Sequence, residues 1–148
     1  MSRLIYETPE DLANEKQICN ALTEKFGSEF QKLPIRYHAD YLIMKNGTSR
    51  GWMEIKQRSI PSYTYSSFLI DLNKVMRMTE LSRETSLPSI LVVRWSDNRI
   101  GFCHINGPFS VVFAGRTDRN DIEDKQPCAL IPLSNFIFID EVDPEMLV

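Results

Sequence analysis

The chain has 148 residues, of which 43% are hydrophobic and 25% charged, and its net charge is −3 at pH 7. These values are typical of a folded protein with a single domain over residues 1–148, and they exclude wholesale disorder. No apolar run approaches the ~20 residues that span a bilayer, and no cleavable leader is evident, so we expect a soluble protein without a membrane partner.

The cysteines and histidines point to a reducing compartment and to a site without zinc. The three cysteines form no CxxC pair, and the two histidines, His38 and His104, lack the spacing of zinc ligands. We therefore expect a cytoplasmic location.

The charge is spread unevenly along the chain. Residues 31–83 hold nine Lys and Arg against four acids, whereas residues 97–148 hold nine acids against four basic residues. A basic face for a nucleic acid is compatible with this distribution, and so is a mixed, solvated surface.

The first predicted element is an amphipathic helix. Thr8 to Asp11 form a typical helix start, with a hydroxyl N-cap, a proline at the first helical position and two acids, and Gly27 supplies the stop. The predicted buried stripe consists of Leu12, Cys19, Leu22 and Phe26. Glu15 falls on that stripe. Its carboxylate either has a functional role or lies at the edge of the stripe, paired with a basic residue.

A β-hairpin follows. Asp40 opens an apolar strand that ends at Met44, Lys45 to Thr48 form the turn, and Gly51 to Lys56 return. If the loop has three residues, Asp40 lies opposite Glu54, and Lys56 is on the same face.

The next segments are a second helix and a buried strand. The predicted helix covers residues 66–85, and Lys74 and Arg77 lie on its solvent side. Its predicted core residues are Phe68, Leu72, Val75, Met76 and Thr79. The run Ile90 to Trp95 predicts a strand that is covered on both faces.

Beyond residue 97 the pattern predicts a β-rich extension. Short strands are expected at residues 100–105, 109–113 and 136–139, with a polar loop from Gly115 to Gln126. The acidic segment from Asp140 to Val148 is expected to be frayed or packed at the surface.

Asp40, Glu54 and Lys56 together suggest phosphodiester chemistry. Two carboxylates on adjacent strands offer the hard oxygen ligands that Mg²⁺ or Mn²⁺ prefers. A lysine on the same face can orient the attacking water and offset the charge that gathers in the transition state. The alternative is an ordinary solvent-facing strand with a cross-strand ion pair.

Ala39-Asp40, followed by Glu54-Ile55-Lys56 and set between helix, hairpin and helix, resembles the PD-(D/E)XK nuclease superfamily over residues 9–95. The resemblance implies an α/β fold with a restriction-endonuclease-like core, in which helices flank a central mixed sheet. It also implies that Asp40 and Glu54 bind the metal, that the backbone carbonyl of Ile55 completes the metal's shell, and that Lys56 positions the nucleophile. Glu15 matches the first-helix acid of the Holliday-junction resolvase-like and phage-type branches. Ala39 departs from the family's proline.

The resulting expectation is a Mg²⁺- or Mn²⁺-dependent deoxyribonuclease in a bacterial or phage-infected cytoplasm. Its partner would be DNA, cut non-specifically or by structure, and a homodimer is left open. Arg58 and Lys74 are candidate phosphate contacts, although either can be an ordinary solvated charge, and Tyr63 or Tyr65 could stack on a base. Two alternatives stand beside this one: an inactive nuclease fold that serves as a nucleic-acid-binding or regulatory module, and an unrelated α/β protein with a chance motif.

Overall fold

The computed structural model describes residues 7–107, 109–115, 125–145 and 147–148. Within these residues there are two α-helices and nine β-strands. In chain order they are α1 (Pro9–Phe26), β1 (Glu29–Lys32), β2 (Tyr41–Lys45), β3 (Thr48–Gln57), β4 (Ser67–Asp71), α2 (Leu72–Thr85), β5 (Ser89–Arg94), β6 (Ile100–His104), β7 (Ser110–Gly115), β8 (Lys125–Pro132) and β9 (Ile137–Phe138). No helix in this part of the chain combines the length and the hydropathy needed to cross a bilayer.

The strands form two sheets. The main sheet has the order β1-β2-β3-β5-β6-β9, in which β3 and β5 are parallel and the other neighbours antiparallel. The smaller sheet has the order β4-β8-β7 and is antiparallel. The predicted fold class, a central mixed sheet flanked by helices, is confirmed.

Two apolar cores lie on opposite faces of the main sheet. On one face α1 packs against alternate residues of the central strands, among them Met53, Ile55 and Val92. On the other face α2 and the smaller sheet pack against Trp52, Leu91 and their neighbours. The near-continuous apolar run of β5 follows from this arrangement, because both of its faces are covered.

The first helix begins and ends as predicted. Thr8 Oγ1 accepts a hydrogen bond from Asp11 N at 3.0 Å, Asp11 returns the contact to Thr8 N at 3.1 Å, and Gly27 ends the helix with φ of 71°. Leu12, however, is 41% exposed, so its assignment to the core was wrong. The first turns of α1 border a cleft, lined by Asn14 among others, and the helix enters the core only from Ile18 onward.

The hairpin has the predicted register but not the predicted loop. Its loop has two residues, Asn46 and Gly47, with φ of 52° and 73°, and Lys45 pairs with Thr48. Met44 pairs with Ser49 but Ile43 pairs with Gly51, so β3 has one extra residue at this β-bulge. Beyond the bulge, Tyr41 pairs with Met53. One residue further along, Asp40 lies opposite Glu54. The bulge therefore decides which face of β3 the carboxylates share.

The second helix is shorter than predicted. It begins at Leu72, and the preceding residues form β4, where Phe68 and Ile70 are buried while Leu69 is 40% exposed. Met76 is 58% exposed, so placing it in the core was wrong. The buried residues of α2 are Val75, Met78 and Leu81.

The C-terminal third adds strands to both sheets, as the β-rich pattern predicted. β6 and β9 extend the main sheet, and β7 and β8 build most of the smaller one. Of the predicted loop from Gly115 to Gln126, residues 116–124 lie outside the described residues, and β8 already starts at Lys125. The expectation that the segment from Asp140 to Val148 is frayed or packed at the surface was wrong for its end, because Leu147 is 1% exposed and belongs to the α1-side core.

Candidate active site

Asp40 lies where β2 separates from β3. Its backbone N–H donates to Met53 O at 3.0 Å, and its Oδ2 accepts the N–H of Ile55 at 2.8 Å. The Asp40 carboxylate thus accepts the Ile55 N–H in place of a main-chain carbonyl, at the point where the pairing of β2 with β3 ends. This contact fixes the carboxylate against the β3 backbone.

Glu54 is a buried carboxylate held between two lysines. It is 3% exposed; Lys56 Nζ lies 3.5 Å from its Oε2, and Lys74 Nζ lies 3.3 Å from its Oε1. The Lys74 contact is an ion pair at a poor hydrogen-bonding angle, because Oε1 has no hydrogen-bond partner among the described residues. Burial, followed by repulsion from Asp40, raises the pKa of Glu54 to about 6 despite both lysines.

These residues line one cleft of about 450 Å³ at the end of β2. Of the predicted site residues it includes Glu15, Asp40, Glu54, Ile55, Lys56 and Arg58. The carbonyl of a strand residue points to the same side as its N–H, so the Ile55 carbonyl faces the gap that opens beyond Asp40. Residues up to 43 positions apart in sequence thereby meet at a single cleft, as the nuclease hypothesis requires.

Glu15 reaches the cleft from the α1 side. Its Oε1 accepts a hydrogen bond from Lys32 Nζ at 3.1 Å, and Lys32 also lies 3.4 Å from Glu7 Oε2. Burial raises the pKa of Glu15, Lys32 opposes that shift, and the nearby Asp40 adds to it. Glu15 is therefore both paired with a basic residue and close to Asp40. Its presence in the cleft counts against a chance motif.

The two candidate phosphate contacts differ in their surroundings. Arg58 is at the rim of the cleft, where its guanidinium donates to Leu69 O at 3.1 Å and stacks on the Phe68 ring at 4.3 Å. Lys74 was predicted on the solvent side of the second helix, but its side chain is turned toward Glu54 and also donates to His38 O at 3.3 Å. The predicted core face of this helix was wrong: its buried residues are Val75, Met78 and Leu81, and Lys74 shares a face with Met78 and Leu81.

The donor set suits a divalent cation. Asp40 and Glu54 provide carboxylate oxygens, one of them buried and without a hydrogen bond, and their mutual repulsion would be relieved by a cation between them. Among the described residues no group of three or more His, Cys, Asp or Glu side chains is placed to hold a metal ion. A centre with two carboxylates agrees with this, since Mg²⁺ commonly takes its other ligands from water, substrate phosphate and backbone.

Sequence reasoning missed several residues of the cleft. Asp11 and Asn14 line it from the start of α1 and Glu7 from just before that helix, and Lys32 forms ion pairs with Glu7 and Glu15. Asp11 was recognised only as a helix-capping residue. No pattern in the sequence pointed to Lys32, because its partners are 17 and 25 residues away.

A family model described as "Phage putative PDDEXK endonuclease" matches residues 1–139 of the chain. The match includes every site residue named above and most of the C-terminal third. A search of curated proteins finds no match.

Proposed function

The chain belongs to this phage PDDEXK endonuclease family, as its motif predicted, and from that premise we propose that it is a divalent-metal-dependent nuclease that hydrolyses phosphodiester bonds of DNA. The observation that carries the proposal is the cleft at the end of β2, where Asp40, buried Glu54 and Lys56 meet. Family membership supports nuclease activity. The metal dependence and the DNA substrate are the parts proposed here.

Asp40, Glu54 and the Ile55 carbonyl would hold Mg²⁺ or Mn²⁺. When bound, the cation supplies Lewis acidity to the scissile phosphate and to the attacking water. Lys56, which is 3.5 Å from Glu54 and partly exposed to the cleft, orients that water and stabilises the negative charge that develops on the phosphoryl oxygens. Glu15, held by Lys32, is placed to hold the water network on the α1 side.

Arg58 and Lys74 are proposed to act on the substrate side of the cleft. Arg58 has a guanidinium fixed at the rim, where one phosphate beside the cut would meet it. Lys74 now pairs with Glu54, and a cation at Glu54 would compete with this contact and release its ammonium group toward a phosphate. Five acids line the cleft against two basic residues, Lys56 and Arg58, so a bound cation would also make the cleft more attractive to a polyanion.

The test is cleavage of labelled single-stranded, duplex and branched DNA, with matching RNA, in Mg²⁺ or Mn²⁺. We expect metal-dependent cutting of DNA that falls by about a hundredfold or more in Lys56→Ala and Glu54→Ala, because the first change removes charge stabilisation at the reacting phosphate and the second removes a metal ligand. Lys16→Ala, an exposed change on α1, is the matched control and should cut like the parent chain.

Three results would contradict the proposal. Cutting that persists in EDTA would exclude the metal dependence, and cutting that persists in both site variants would exclude this cleft as the active site. Binding of DNA without cutting on any substrate would instead favour a nuclease fold that serves as a binding or regulatory module.

A further inference from the structure

A second cavity, of about 430 Å³, lies beside the active-site cleft, and Arg58 lines both. We call it the Tyr65 pocket: besides Arg58, it is bounded by residues 60–62 and 65–69 and by Trp95, Leu130 and Leu133. Most of these side chains are apolar or aromatic, with serine hydroxyl groups among them. This volume, with a mostly apolar lining and a few hydroxyl groups, is typical of a site for a small molecule rather than of a solvent channel.

The walls of the Tyr65 pocket are fixed by hydrogen bonds. Ser62 Oγ donates to Asp97 Oδ2 at 2.7 Å, and Ser96 N donates to Ile60 O at 3.0 Å, which ties the segment after β3 to the end of β5. At the other wall Leu133 N donates to Ser66 O at 2.8 Å. The cavity is therefore preformed, and filling it requires little ordering of the chain.

Arg58 forms the boundary between the two cavities. Its guanidinium stacks on Phe68, a wall of the Tyr65 pocket, and its charge is at the rim of the cleft that holds Asp40 and Glu54. A ligand that spans both cavities would thus place an anion beside Arg58 and an apolar, planar group against the aromatic wall. A nucleotide has this combination of a phosphate and a flat base.

We propose that the Tyr65 pocket binds one base of the substrate, splayed out of its stack next to the phosphate that Arg58 contacts. The inference rests on the proposed function and adds a substrate class, namely single-stranded or locally unpaired nucleic acid. A base that remains stacked and paired within a duplex cannot reach into a recess beside the cleft, so extrusion or a missing partner is required.

Tyr65 provides the stacking surface, and Tyr63 provides the control. Both tyrosines are exposed, at 66% and 80%, but only Tyr65 is among the residues that line the pocket. Replacing either one should leave the core intact. The pair therefore separates a specific stacking contact from a general loss of aromatic surface.

The experiment is an abasic scan of a short labelled single-stranded DNA, with binding measured by fluorescence anisotropy in Mg²⁺ on a Lys56→Ala background. We expect that removing the base at one position weakens binding by about tenfold, as the loss of one stacked base does. Tyr65→Ala should abolish this sensitivity, Tyr63→Ala should retain it, and Ser66→Trp, which fills the pocket, should reproduce the Tyr65 result. Cleavage by the parent chain is assayed in parallel.

The outcomes separate this inference from the proposed function. Cutting by the parent chain together with a flat scan would overturn the base pocket and leave the nuclease. A position-specific effect that Tyr65→Ala removes, without cutting, would support the pocket in a binding module. Absence of both binding and cutting of the oligonucleotide that keeps all its bases would overturn both, and equal effects of Tyr63→Ala and Tyr65→Ala would overturn the pocket.

Discussion

Glu54 combines deep burial with two cationic neighbours, and its protonation reflects the balance between them. Its pKa, raised to about 6 chiefly by burial, means that the folded chain without metal binds this proton more tightly than the unfolded chain does. Stability therefore declines as pH rises from about 4.5 to 6, and the ionised carboxylate costs the metal-free protein about 2 kcal/mol at neutral pH. A buried, ionised carboxylate next to a second one is stabilised by a divalent cation, so this site favours binding of one.

The first prediction concerns Glu54→Gln, which removes the charge and keeps the shape. In EDTA at pH 7.5 we expect the variant to be more stable than the parent chain by about 1 to 2 kcal/mol, with the difference vanishing near about pH 3.5, where the parent carboxylate is protonated in both the folded and the unfolded state. Urea unfolding at the two pH values measures this. Glu80→Gln, at an exposed position, is the control.

Adding Mg²⁺ or Mn²⁺ should reverse the order of stability, so that the parent chain becomes more stable than Glu54→Gln. A cation that binds only the folded parent chain stabilises it by mass action, whereas the glutamine variant has lost one carboxylate ligand and gains less. A variant that is destabilised equally at both pH values, or that responds to metal as the parent does, would contradict the role assigned to Glu54.

At the scale of elements, the β2–β3 hairpin controls the site. Its two-residue turn requires positive φ at Asn46 and Gly47, and the single extra residue on β3 then sets Asp40 across from Glu54. Without that residue the strand would slip by one position, and Glu54 would turn to the opposite face. The hairpin thus connects a local turn to the chemistry at its far end.

The second prediction tests this turn. Gly47→Ala should cost about 1 kcal/mol, because alanine is disfavoured at φ of 73°. The cost is purely conformational, since a Cβ at Gly47 meets nothing within 4 Å. Asn46→Gly, which keeps a residue that tolerates positive φ, should change stability by a few tenths of a kcal/mol at most. Chemical unfolding of both variants provides the comparison, and equal losses would contradict the two-residue turn.

At the scale of the whole molecule, the last residues of the chain pack into one core with the first helix. Leu147 is almost fully buried with α1 residues such as Ile18 and Leu22, and Val148 lies 3.4 Å from the position of a Cβ on Gly51. The C-terminus therefore covers the same face of the main sheet as the first helix. The C-terminal third stabilises the scaffold on which the cleft is built.

The third prediction follows from this packing. Leu147→Ala should destabilise the chain by about 2 kcal/mol or more, as expected for a buried leucine, and should lower the Tm by several degrees. Met76→Ala is the matched control, because Met76 is 58% exposed on α2 and its loss should cost less than about 0.5 kcal/mol. A Leu147 variant as stable as the Met76 variant would mean that the C-terminus does not contribute to the core.

The sequence alone determined the features that depend on neighbouring residues. The first helix with its caps, the hairpin and the buried strand of β5 follow from local patterns whose physical cause lies within a few residues. The register that aligns Asp40 with Glu54 was predicted as well, but the bulge that produces it was not. The family resemblance rests on these same features, and the family match confirmed it. The strand β4 escaped detection because its short burial pattern merges with the helix that follows it.

Only the tertiary structure decided which side chains meet. The contacts that build the site join residues 11 to 20 positions apart. Lys32 pairs with Glu15, Lys74 pairs with Glu54, and Arg58 donates to the Leu69 carbonyl between the two cavities. Leu147 is buried because the C-terminal residues pack against the first helix, which is more than 100 residues away in sequence. Such contacts arise from how whole elements pack, and the energy of packing is shared among many residues, so no local pattern encodes them.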